Sequence, residues 1–229
     1  MKIIDIHKSL KRHSSKMYRK NEEVRYIIIH HTFQKSGGNL ADFQALARYH
    51  VNQKDTPGIP YHYGVDPEGH IYRLLRHDLV RSYHIDAASK AIHSEWPNHI
   101  LNKRAAARPS NHNSLGIVLP GNFNAHEVPQ MQWSAAVELC QRLIQDHNAY
   151  IIGHRDVPGA ERKNPEVDCP GIFFDMAQFV SEVRRKPIED LVTPPHIRKY
   201  HSMLKKLKEL GQEEMIPDLI SLRRHIRYS

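Results

Sequence analysis

Ile151-Ile152-Gly153-His154-Arg155-Asp156-Val157 and, further on, Val167-Asp168-Cys169-Pro170-Gly171 form the stretch from which the rest of the chain is read. A short apolar run delivers a histidine, a loop carrying Pro and Gly follows, and fifteen residues after that histidine a cysteine stands beside a proline. Histidine and cysteine are borderline-to-soft metal ligands, and one loop that returns to its own start brings them together. A third ligand has to come from elsewhere. The apolar run Tyr26-Ile27-Ile28-Ile29 leads directly into His30-His31-Thr32 and is the best source. Neighbouring side chains on a strand point to opposite faces, so the residues alone leave His30 and His31 both open. Two histidines and one cysteine hold zinc with its fourth position free, a catalytic and not a structural arrangement.

With 229 residues, 40% hydrophobic and 25% charged, the chain has the composition of a globular protein with one sizeable core. No stretch approaches the ~20 apolar residues of a membrane helix, so no transmembrane segment is expected. The N-terminus MKIIDIHKSLKRHSSKMYRK lacks the apolar centre and cleavage site of a secretory signal, and synthesis in the cytoplasm is the expectation. Two cysteines, Cys140 and Cys169, make no disulfide framework. On the predicted helix 129–146, Cys140 reads as a small buried hydrophobe. The net charge is +8, and residues 184–229 alone hold eleven Lys/Arg against six Asp/Glu. A basic appendage of this kind suggests a polyanionic partner, whether nucleic acid, anionic lipid or a phosphate-bearing cell envelope, or else is simply a solvated helix face.

The pattern divides the chain into a basic N-terminal arm at 1–20, a main domain at 21–186 and a basic helical appendage at 194–229. Strands are predicted at Val24–Ile29, Tyr61–Val65, His70–Leu75, Ser114–Leu119 and Tyr150–Ile152, from β-branched runs and from the turn Asp66-Pro67-Glu68-Gly69. Helical spacing predicts helices at 39–51, 129–146 and 175–185. Beyond Thr193-Pro194-Pro195, two amphipathic segments joined at Gly211 read as a helical hairpin. The expected fold class is α/β, a central mixed β-sheet flanked by helices, with that hairpin at the C-terminus. Residues 76–113 have little legible structure, which suits a loop around a site.

Four motifs in this order, IIIHHT, PYHYGV, NHNSLGIVLPGNF and GHRDV with DCPG, resemble the type 2 N-acetylmuramoyl-L-alanine amidases. That superfamily includes the phage T7-type lysozymes and the peptidoglycan recognition proteins. The resemblance runs from about Val24 to Phe179. It implies that His30, His154 and Cys169 hold Zn2+ and that Tyr61 donates to the oxyanion of the attacked carbonyl. It further implies that Asn113 and Ser114 line the substrate groove, with His84 as a groove histidine. Family enzymes commonly carry Lys or Thr where this chain has Val167, and some carry Glu where it has Val118. Either a nearby group such as Lys163 or His84 supplies the missing polar group, or the activity is weakened. The implied activity is zinc-dependent hydrolysis of the bond between N-acetylmuramic acid and L-alanine in peptidoglycan or its muropeptides, by a phage endolysin or a cell-wall recycling enzyme. The alternative is a non-catalytic peptidoglycan-binding module, although such proteins usually lose the cysteine ligand. No zinc-finger spacing or aromatic platform points to a specific nucleic acid.

If the appendage is separable, deleting residues 194–229 leaves zinc binding intact and weakens attachment to anionic envelopes. Sedimentation with cell walls across a salt series measures this, because the lost component should be the salt-sensitive one.

Overall fold

The computed structural model describes residues 1–14, 19–20, 23–33, 39–77, 79–80, 109–157 and 168–184. The C-terminal hairpin expected after Pro195 lies outside them. The chain divides into two compact units; the sheet and its first two helices belong to one, and the last described helix to the other.

The centre of the first unit is β3 (Tyr26–His31), buried along all six residues. Ile27, Ile28 and Ile29 are fully buried. Burying one such side chain contributes about 1.5–3 kcal/mol, against a total span of about 1 kcal/mol for intrinsic strand propensity. Burial therefore fixes this strand. It lies between β7 (Ser114–Leu119) and β8 (Tyr150–Gly153) and is parallel to both, with Tyr26 opposite Ser114 and Tyr150. The remaining strands are β1 (Ile3–Asp5), β4 (Tyr63–Val65) and β5 (Ile71–Arg73), and the six-stranded order is β1-β5-β4-β7-β3-β8. β4 is parallel to β7, β5 is antiparallel to β4, and β1 is parallel to β5. A separate antiparallel pair joins β2 (Arg19–Lys20) and β6 (Leu79–Val80).

The mixed sheet and flanking helices agree with the sequence reading, and β7 has its expected limits. The first residues differ. They were expected as part of an arm, yet Ile3–Asp5 is an edge strand, and Ile6 and Leu10 enter the core.

Helix α1 (Leu40–Asn52) starts with a capping box: Asn39 Oδ1 accepts from Asp42 N–H, and the Asp42 carboxylate accepts from Asn39 N–H. Phe43 and Ala47 pack with Ile6, Leu10, Ile59, Tyr72, Leu74 and Val118 on one face of the sheet. Helix α2 (Gln130–His147) ends at left-handed Asn148, whose N–H returns to Ile144 O. It packs against β4 and β5. Buried Gln132 donates through Nε2 to Val65 O at 2.8 Å and Pro120 O at 3.0 Å, joining α2 to the ends of β4 and β7. Tyr63 faces this side, where its hydroxyl bonds His77, and His77 meets His147 of α2. The β4–β5 turn closes on Asp66, whose carboxylate accepts from His70 N–H, His70 Nδ1 and Tyr72 OH. Helix α3 (Met176–Arg184), in the second unit, is capped by Asp175, which accepts from Ala177 and Gln178 N–H. Among the described residues no helix is long and apolar enough to cross a membrane.

At Gly64 the sheet leaves room for the Phe43 ring of α1. A Cβ there would lie 2.2 Å from Phe43 Cζ. Gly64→Ala is therefore expected to cost about 1–3 kcal/mol in urea unfolding. Phe43→Leu in the same chain should recover part of that loss by shortening the opposing side chain.

Candidate metal centre

Parallel strands of an α/β sheet offer sites at their carboxyl ends. Here β3, β7 and β8 end together, and three segments deliver side chains to the place where they stop. His30 stands one residue before the end of β3 and shares a face with its register partner Val118. His154 opens a single 3-10 turn, His154–Asp156, directly after β8. That turn is held by Gly153 N–H to Asp156 Oδ2 at 3.1 Å. Cys169 arrives on the returning loop through a cis bond to Pro170.

The ligating atoms of His30, His154 and Cys169 all lie within 4.8 Å of one another. Cys169 Sγ is 3.8 Å from His30 Nδ1, and the two imidazole centroids are 4.5 Å apart. A tetrahedral zinc with Zn–N of about 2.0–2.1 Å and Zn–S of about 2.3 Å sets nitrogen and sulfur about 3.6 Å apart. The donor set and its spacing thus fit zinc. Burial raises the Cys169 thiol to about 12, the charge of Asp168 adding to the effect, while the His31 main-chain N–H bonded to the sulfur acts the other way. A cation between the three ligands is what would favour the thiolate.

The returning loop is held by Arg155. The residue is 3% exposed, and its guanidinium donates to Gly171 O at 2.5 Å and Phe174 O at 2.8 Å. It also faces Asp168 Oδ1 at 3.7 Å, and Arg155 N–H donates to Cys169 O at 2.6 Å. A second loop supports the first from β7: Ile172 N–H donates to Asn124 Oδ1 and Phe173 N–H to Phe123 O. Gly171 has φ +119, and a Cβ there would lie 2.4 Å from the Phe123 carbonyl carbon. Both facts require glycine.

His31 points to the other face. Its Nδ1 accepts from Phe123 N–H at 3.2 Å, and burial lowers it to about 4, so it is neutral. Of the two histidines left open by the residues alone, it is His30 whose ring nitrogen lies with His154 and Cys169, while the His31 ring meets Phe123. Tyr61 lies beside His30 with ring centroids 5.1 Å apart. Burial, and secondarily the neighbouring Cys169, pushes its phenol upward, so it remains a donor at neutral pH.

Not every expected residue reaches this place. Asn113 and Ser114 stand at the opposite end of β7, with Ser114 four residues from the partner of His30, about 13 Å along the strand. Both are buried. Asn113 Oδ1 accepts from Ser110 N–H and Oγ–H, and the Ser114 hydroxyl donates to Ser110 O. They shape a turn and do not line a groove at the metal ligands. Val118, where some family enzymes carry glutamate, is buried under α1. His84, Lys163 and Val167 lie outside the described residues. A second possible cluster, Asp66, Glu68 and His70, belongs to the β4–β5 turn, where Asp66 is already engaged. The sequence reading missed Arg155 and also His50, whose ring stands edge-on to Tyr61 at 6.2 Å.

Residues 20–171 match the family model described as N-acetylmuramoyl-L-alanine amidase. No curated protein sequence matches the chain. Among solved structures the chain is similar to the N-acetylmuramoyl-L-alanine amidase LysC from Clostridium intestinale URNW, at 21% identity and TM-score 0.57 over 80% of this chain and 98% of that one. It is also similar to the Ph2119 endolysin from Thermus scotoductus MAT2119 bacteriophage Ph2119, at 20% identity and TM-score 0.55 over 80% and 98%. Drosophila peptidoglycan recognition protein SD follows at 18% identity and TM-score 0.52 over 74% and 88%. At these identities the likeness establishes the fold.

His30→Ala, His154→Ala and Cys169→Ala should each abolish zinc retention after dialysis, as measured by elemental analysis, because each removes one of three protein ligands. His31→Ala should keep one equivalent of zinc, since the ring it removes bonds Phe123 N–H on the other face of β3. Arg155→Lys should lower both zinc retention and melting temperature. A single ammonium cannot serve two carbonyls and a carboxylate in that fork geometry.

Proposed function

Because the chain belongs to the N-acetylmuramoyl-L-alanine amidase family, we propose that it hydrolyses the amide bond between N-acetylmuramic acid and L-alanine in peptidoglycan, using zinc held by His30, His154 and Cys169. The observation that supports this most strongly is the convergence of those three ligands beside Tyr61. Zinc at a site with three protein ligands supplies Lewis acidity and a hydrolytic nucleophile at neutral pH.

The chain's own groups have separate tasks in this reading. Tyr61 presents a protonated phenol next to His30, in position to donate to the carbonyl oxygen as negative charge develops there. The buried walls around it keep its neighbourhood low in dielectric, which strengthens such a bond. His50 limits the movement of the Tyr61 ring from the α1 side. His84 as a groove residue and Lys163 as the donor replacing the one absent at Val167 belong to the proposal through the family resemblance. Asn113 and Ser114 do not, given their place in a buried turn.

The polymer acted on is the cell wall or fragments of it. Tracheal cytotoxin bound to peptidoglycan recognition proteins LCa and LCx appears in another structure of similar fold, at 19% identity and TM-score 0.55. It supports muropeptides as ligands of this chain. The basic tail is proposed to add contact with an anionic envelope.

Tyr61→Phe keeps the ring and the metal ligands but removes the donor. The expected loss in kcat is about 10²–10³-fold, with bound zinc unchanged. Release of L-alanine N-termini from purified peptidoglycan, assayed alongside zinc content, makes the measurement. Wild-type protein that holds zinc, binds muropeptide and releases no amines would instead establish a binding module.

A further inference from the structure

His62 follows Tyr61 and precedes β4, and it is fully buried. Its main chain is tied on both sides: His62 N–H donates to Gly116 O at 2.8 Å, and His62 O accepts from Leu74 N–H at 2.9 Å and Leu75 N–H at 3.2 Å. Its ring is tied as well. Nδ1 lies 3.1 Å from Gly116 N, and Nε2 lies 2.8 Å from Leu79 O.

These partners fix the tautomer. Gly116 N–H only donates, so Nδ1 must be a bare acceptor; Leu79 O only accepts, so Nε2 must carry the proton. The β4–β7 pairing begins at Tyr63 opposite Ile117. The imidazole therefore takes the Gly116 N–H one residue before the strand starts, and links β7 to β6 through the same ring. Tyr61 is the next residue back, with its ring 5.1 Å from that of a metal ligand.

We propose that His62 is the positioning residue for Tyr61, its neutral ring bonding Gly116 and Leu79 so that the phenol is held at the reacting carbonyl. This rests on the reading of Tyr61 as the oxyanion donor. Misplacement of a catalytic group by about 1 Å costs on the order of 10²-fold, and three main-chain hydrogen bonds plus two ring bonds leave little room for that drift.

The test is a double-mutant cycle in the zinc-loaded full-length protein. His62→Leu should lower kcat about 10–100-fold, with KM and zinc stoichiometry unchanged. His62→Asn, whose Oδ1 can still accept from Gly116 N–H, should recover most of the loss. In a Tyr61→Phe background the same His62→Leu change should cost less than about twofold, because the two residues act as one unit. An equal loss in both backgrounds, or a raised KM with kcat intact, overturns the proposal. A Tyr61→Phe variant with normal kcat overturns the donor reading instead, and the two failures are distinct. Two measurements do not depend on activity. Nitrogen-15 NMR should show the His62 ring neutral with the proton on Nε2, and an Nδ1–H or doubly protonated ring rejects the proposal. The Tyr61 ring resonance should shift and broaden in His62→Leu and return in His62→Asn; an unchanged resonance rejects it. If His62→Leu does not fold, His62→Gln, which keeps a donor for Leu79 O, takes its place in each comparison.

Discussion

The site depends first on a buried guanidinium. Fourteen residues separate His154 from Cys169, and the entropy of closing a loop of that length favours no single place for its far end. Arg155 supplies the fixed point, because it sits next to one ligand and holds the carbonyls of the segment that carries the other. Removing its charge from water is expensive, and the partly compensating Asp168 lies at the long distance of 3.7 Å. Such an arrangement is poor value as stabilisation. It makes sense as geometry: a fork with two carbonyl acceptors allows one placement of the loop, where an apolar contact would allow several.

The same economy appears in β3, whose last two residues serve opposite faces. His30 offers a ligand on the α1 side of the sheet. His31 turns away and, through Nδ1, holds the Phe123 segment, which in turn receives Phe173 and crowds Gly171. A one-residue slip of β3 would exchange these roles and lose both. Complete burial of Ile27 to Ile29, paired on each side by a parallel strand, makes that slip costly.

Much of this could be read from residues. The buried strands announce themselves as β-branched runs, and Asn39 and Gly69 mark a cap and a turn that the structure contains. The candidate ligands His154 and Cys169 stand out because a histidine and a cysteine flank one loop. β1 did not, since three residues at a sheet edge carry too little pattern to separate from a basic arm. Asn113 and Ser114 show a different failure. A strand motif tells which residues are in the strand but not which end faces the site, and the parallel register places theirs at the wrong end. Arg155 and His62 were hidden for a third reason: nothing local distinguishes a buried charged or polar side chain from a solvated one, because its partners are distant carbonyls and amides.

Those two hidden residues do the same physical work. Regular strands position a backbone by ladder hydrogen bonds, but ladders stop where a site begins, since the chain must turn and expose functional groups. Arg155 extends the bonding past the end of β8, and His62 extends it before the start of β4. Each saturates main-chain groups that would otherwise lack partners in a dry environment. Each does so with a side chain whose donors and acceptors have fixed relative directions, a planar fork in one case and a ring with one bare nitrogen in the other. His154, Cys169 and the Tyr61 phenol thus sit on irregular backbone that side-chain hydrogen bonds hold in place of a ladder, which is what the proposed hydrolysis would need of a donor that meets charge existing only in the transition state.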